Sequence, residues 1–89
     1  MDSCEIYFDK VMGVATRVES CTLHSRWRIV VGDKYLIIDE HYYRAETYSL
    51  VEHAESVDMK KATEQMPIIM WQIHQFIAAN KPKPPKRYR

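Results

Sequence analysis

Hydrophobic and polar positions repeat along this chain with two different periods, and each period predicts a different element. From Arg26 to Asp39 the period is two: Arg26-Trp-Arg-Ile-Val-Val31 and Lys34-Tyr-Leu-Ile-Ile-Asp39 flank Gly32-Asp33. Alternation of this kind marks half-buried strands, and a two-residue turn containing a glycine joins them as a hairpin. Pairing across the turn sets Trp27 opposite Ile38, Ile29 opposite Leu36 and Arg26 opposite Asp39. One face, the core face, then carries Trp27, Ile29, Leu36 and Ile38; the other carries Arg26, Arg28, Val30, Tyr35, Ile37 and Asp39. The apolar residues and the charge pair agree on one register, which a slip of one residue would destroy. A third strand is predicted around Glu46–Glu52, with Tyr48 and Leu50 on one side and Thr47, Ser49 and Val51 on the other.

After Asp58 the period changes to that of a helix. At the α-helical angle, Met59, Ala62, Met66, Ile69, Met70, Ile73, Phe76 and Ile77 fall within about 120° of one another. Ser56 or Asp58 supplies a cap, and Asn80 before Lys81-Pro82 a stop. The stripe keeps its phase through Pro67, which predicts one helix kinked there. The proline lies on the polar side, where water satisfies the Thr63 carbonyl that loses its donor. The N-terminal segment reads two ways. Asp2-x-x-Glu5 resembles a capping box, and Cys4, Tyr7, Phe8, Val11, Val14, Ala15 and Val18 form a helical stripe with Gly13 on the far side. Val14-Ala-Thr-Arg-Val18 also alternates, so the second reading is one or two extra strands.

The expected fold is α+β: a three-stranded antiparallel meander packed on a long C-terminal helix, with an N-terminal helix. The order helix, three strands, helix is shared with double-stranded-RNA-binding domains, whose last helix opens with paired lysines about where Lys60-Lys61-Ala62 stands. Here acidic Glu55-Ser-Val-Asp58 precedes the lysines, so the likeness is one of element order alone and carries no function.

A chain of 89 residues, 46% hydrophobic and 28% charged, is expected to form one globular domain, over residues 1–80. Its two glycines, Gly13 and Gly32, are too few for a phosphate-cradling loop, which argues against nucleotide chemistry. No apolar run reaches the roughly 18–20 residues of a membrane span, and Met1-Asp2-Ser3-Cys4-Glu5 lacks the features of a signal peptide. The expectation is a cytoplasmic protein, with Cys4 and Cys21 reduced and serving as small core residues.

Charge is unevenly placed. All twelve acids lie at or before Glu64, and residues 1–80 carry eight Lys or Arg against them, a net of −4. Lys81-Pro-Lys-Pro-Pro-Lys-Arg-Tyr-Arg89 carries five positive charges and no acid, which predicts an extended tail.

Catalytic and metal chemistry find little support. Cys21-x-x-His24 has a ligand-like spacing, but a closed zinc site needs a second close pair, and His41, His53 and His74 are scattered. Asp39 and Glu40 are adjacent in a strand and point to opposite faces, which prevents their working as an acid–base pair. No catalytic residue, metal or cofactor is expected, and the chain is read as a non-enzyme.

The candidate partner-binding residues are Tyr35, Asp39, Tyr42, Tyr43 and Glu46, an acidic and tyrosine-rich surface suited to a basic protein patch such as a nucleic-acid-binding groove. To these the helix adds Ile68 and Trp71, which break its polar face. The expected function is that of a small regulator or inhibitor acting by protein–protein contact, as monomer or homodimer, of the kind common among phage and mobile-element accessory proteins. The alternative is a nucleic-acid-binding module in which Lys60, Lys61, Lys81, Lys83, Lys86, Arg87 and Arg89 grip phosphates.

Overall fold

In a computed structural model of the chain, the described residues are 2–42 and 47–80. They form β1 (Ser3–Phe8), β2 (Val11–Ser20), β3 (His24–Val31), β4 (Lys34–His41), β5 (Thr47–His53) and α1 (Met59–Asn80). The strands make one antiparallel sheet in the order β1-β2-β3-β4-β5. Helix α1 covers one of its faces, so the class is α+β with a two-layer architecture.

The β3–β4 hairpin has the register its sequence dictates: Trp27 faces Ile38, Ile29 faces Leu36 and Arg26 faces Asp39. Gly32 takes the positive φ, 63°, that the turn needs. Trp27, Ile29, Leu36 and Ile38 are all buried beneath α1. Strand β5 is the predicted third strand, and its Tyr48 and Leu50 pack against the core. A register shift opposite Ile37 and Ile38 interrupts the β4–β5 ladder near Val51, which is exposed.

The N-terminal helix does not form. Residues 3–20 lie in β1 and β2, which enlarges the sheet to five strands. Cys4, Ile6 and Phe8 alternate toward the core, and Asp9 and Lys10, with φ of 52° and 67°, make the tight turn of a two-residue hairpin. The supposed helical stripe is divided: Phe8 and Ala15 are buried, whereas Tyr7, Val11, Val14 and Val18 are exposed. Strand β3 offers β2 a ladder (Val14 with Val30, Ala15 with Ile29, Thr16 with Arg28), which shifts register between Arg17 and Glu19. That long-range pairing satisfies a backbone rich in β-branched residues better than an isolated helix does. The element order of the double-stranded-RNA-binding domains is lost with the helix. Gly13 is buried, not on a far side, and β3 passes so close that a Cβ there would lie 2.3 Å from the Val30 carbonyl oxygen.

Helix α1 is capped by Asp58, whose Oδ1 accepts from the backbone N–H of Lys60 (3.0 Å) and Lys61 (3.3 Å). It runs unbroken through Pro67, which is exposed. Ala62, Met66, Ile69, Met70 and Ile73 are buried. Met59, expected in the stripe, is exposed, because the helix has only begun there. At the other flank Gln72 completes the free edge of β1: its Oε1 accepts from Tyr7 N–H (2.7 Å) and its Nε2 donates to Tyr7 O (3.2 Å). The amide stands where a sixth strand would pair. Lys61 adds an ion pair to Asp9 in the β1–β2 turn, at 2.6 Å.

Cys4 is half-buried against the core. Cys21, expected inside, is exposed: β2 extends to Ser20, so the reversal into β3 falls on it. Its Sγ accepts from Leu23 N–H and lies 3.4 Å from His24 Nδ1. Among the described residues no helix is long and apolar enough to cross a membrane.

Candidate functional site

The residues singled out in the sequence do not form one surface. Tyr35 and Asp39 lie on the open face of the sheet, opposite α1, and both are engaged. Asp39 receives Arg26 through two hydrogen bonds, Nε to Oδ1 at 2.7 Å and Nη2 to Oδ2 at 2.9 Å. The Arg26 guanidinium holds this carboxyl below the ordinary carboxylate range, more than its partial burial raises it. Tyr35 donates to Glu52 Oε2 at 2.8 Å, which raises its phenol above the ordinary value, and Arg28 sits 5.9 Å from its ring centre. Tyr48, by contrast, points inward, because side chains alternate along a strand. Tyrosines that look continuous in the sequence are therefore divided between the two faces.

Beside these polar pairs the open face carries an apolar patch. Tyr7, Met12, Val14, Val18 and Val51 are all exposed, and Met12 and Val14 oppose Tyr7 and Glu5 across the β1–β2 pair. An antiparallel sheet with one uncovered face ordinarily shows polar residues there. The sequence reading missed this patch because it assigned Tyr7, Val14 and Val18 to a helical stripe.

On the far side of the molecule, Ile68 and Trp71 project from α1 and are 51% and 61% exposed. From Gln65 to Asn80 the helix contains no Asp, Glu, Lys or Arg, so four turns of it meet solvent without a formal charge other than what His74 can carry. A surface helix usually sets charged residues opposite its buried stripe. Lys60 and Lys61 lie at the other end of α1, and Lys61 is committed to Asp9, which raises its ammonium above the ordinary value.

Between this helix face and the end of the sheet lies a feature the sequence reading did not pick out. Glu40 follows Leu36 and Ile38 on the inner side of β4, and the period of two that made those residues core places its carboxylate under α1 as well. Its side chain is only 9% exposed. Oε2 meets His74 Nε2 from α1, while Oε1 is buried with no hydrogen-bond partner among the described residues. Two clefts open beside it. One, of about 490 Å³, is lined by Tyr42, Thr47, Tyr48, Pro67, Trp71 and His74 together with Glu40, His41 and Met70. The other, of about 440 Å³, adds Arg17 and Ile77 on the opposite side. Tyr42 and Ser25 share a hydrogen bond at 2.5 Å, and Ser25 also donates to Ser20 at 3.2 Å, which tethers the residue that follows β4. Buried Thr47 Oγ1, Arg17 Nε and Trp27 Nε1 likewise have no hydrogen-bond partner among the described residues. A buried carboxylate oxygen left unmet beside an otherwise apolar core is costly and marks the region out.

Of the predicted partner-binding residues, then, the structure brings together Tyr42 and Trp71, at this cleft, with Ile68 on the same helix. It sets Tyr35 and Asp39 on the other face. Tyr43 and Glu46 lie outside the described residues, as do Lys81, Lys83, Lys86, Arg87 and Arg89. Among the described residues no group of three or more His, Cys, Asp or Glu side chains is placed to hold a metal ion. Compared with known proteins, the chain matches no family model, no curated protein and no solved structure.

Proposed function

We propose that this protein is a non-enzymatic binding module that recognises another protein through the uncharged half of α1, with Trp71 and Ile68 at the centre of the contact. The exposure of Trp71 within a helix face free of formal charge carries this reading. Tryptophan buries a large area at small entropic cost and is the residue type most enriched where truncation weakens an interface. The partner is expected to present an apolar patch to Ile68 and Trp71. Binding of this kind fits a regulator or inhibitor that acts by occupying a surface rather than by chemistry.

The rival reading, phosphate recognition by Lys60, Lys61 and the basic tail, predicts an affinity that falls steeply with salt. The protein-binding reading predicts that Trp71→Ala removes the interaction at any salt concentration. A pull-down with wild type and Trp71→Ala, with and without nuclease, separates them. A stoichiometric protein that survives nuclease and is lost on Trp71→Ala supports the proposal. Recovery of nucleic acid, indifferent to Trp71→Ala, overturns it.

A further inference from the structure

We infer that the cleft between Trp71 and Glu40 is a binding site for an organic cation, the side chain of an arginine or lysine presented by the partner protein. The source of the cation rests on the protein-binding reading above; its chemistry rests on the cleft alone. Three aromatic residues, Tyr42, Tyr48 and Trp71, line a space of about 490 Å³ together with Glu40. Aromatic faces attract a cation through their quadrupoles, and the attraction grows where water is excluded. Glu40 supplies the opposing charge. Among the described residues no Lys or Arg pairs with it: its partner is His74, and its Oε1 meets no donor there. Arg17, on the far side of Glu40, is held by Asp2 at 3.0 Å and lies over the Trp27 ring at 5.1 Å.

A carboxylate kept under a helix with one oxygen unmet is unfavourable in the free protein. A guanidinium or ammonium entering the cleft relieves that cost, so the cation is favoured over any neutral group of the same shape. The His74 side chain, 55% exposed, stands at the mouth between the carboxylate and solvent and moves aside when the cation arrives. The site thereby adds a charge requirement to the apolar contact of Ile68 and Trp71.

The probes are the blocked amino acids N-acetyl-arginine methylamide and N-acetyl-lysine methylamide, with the neutral citrulline and norleucine derivatives as controls. Each is titrated into the full chain and followed by NMR at the Trp71 indole, Tyr42, Thr47 and His74. Saturable shifts at these residues with either cation, in the millimolar range, and none with the neutral pair, are expected. Glu40→Gln, which keeps size and fold, should weaken binding by at least about tenfold. Trp71→Ala, at an exposed position that cannot threaten the fold, should weaken it as well. No saturable shift with either cation, equal binding of citrulline, or indifference to Glu40→Gln overturns the inference. These outcomes are separate from the function proposed above. Loss of a partner on Trp71→Ala with no cation binding would leave that reading standing and sink this one. Cation binding without any protein partner would do the reverse.

Discussion

Replacing Gly13 with alanine puts a methyl group where β2 has no room for one. An ideal Cβ at this position lies 2.3 Å from the Val30 carbonyl oxygen, 2.4 Å from Val31 Cγ2 and 2.9 Å from Val31 Cα. Comfortable carbon contacts begin near about 3.5 Å, so each separation must grow by roughly 0.6–1.2 Å. The Val31 methyl can rotate away. The Val30 oxygen and Val31 Cα belong to the backbone, and their retreat pulls β3 from β2 beside the Val14–Val30 pair. Overpacking that side chains can absorb costs about 1–3 kcal/mol, and a backbone clash belongs at the upper end. Against this, alanine loses less unfolded-state entropy, worth about 0.4–1 kcal/mol. The net expectation is a loss of about 2–3 kcal/mol, or roughly 10–20 °C in Tm for a domain of this size.

Gly32→Ala is the control. Gly32 sits at φ 63° with nothing within 4 Å of the added methyl, so its cost is conformational only, about 1 kcal/mol. Thermal and urea unfolding of the two variants, followed by circular dichroism, gives both numbers. Gly13→Ala as stable as wild type would refute the close passage of β2 over β3, and with it the strand assignment of the N-terminal segment.

Other consequences follow from particular contacts. Asp58→Ala removes the acceptor for two N-terminal amides of α1 and should cost about 1 kcal/mol in urea unfolding, while Ser56→Ala should leave stability unchanged. The Asp39 carboxyl is lowered in the folded state, so its contribution is complete above the unfolded carboxylate range and is lost as pH falls through the folded value. Wild type should therefore lose more stability than Asp39→Asn between about pH 5 and pH 2, and equal losses would show that the Arg26 pair contributes nothing. Trp71→Ala should leave Tm within a degree or two of wild type, because the indole is 61% exposed; a large drop would place Trp71 in the core.

The hairpin was legible because two independent signals, apolar alternation and the Arg26–Asp39 pair, agree on one register. The C-terminal helix was legible because its stripe persists over five turns. The N-terminal strands were not, because the turn between them is Asp9-Lys10: neither residue is a glycine, and both take positive φ. Without a recognisable turn, a short run containing Val, Phe and Tyr fits a helical and an alternating pattern equally well. That one misassignment concealed the apolar open face of the sheet. Glu40 was within reach: extending the parity of Leu36 and Ile38 by one more pair places it under the helix. Its meeting with His74, 34 positions away, needed the angle at which α1 crosses the sheet, which no local pattern contains.

The most direct test of the proposed binding face is site-specific photocrosslinking in the native host. A benzophenone side chain is placed at position 68 or 75 on α1, leaving Trp71 in place, and at position 14 or 28 on the open sheet face. One discrete protein adduct from 68 and 75, absent from 14 and 28, is the predicted result. An adduct from the sheet positions alone would contradict the account and move the interface to the apolar face of β2.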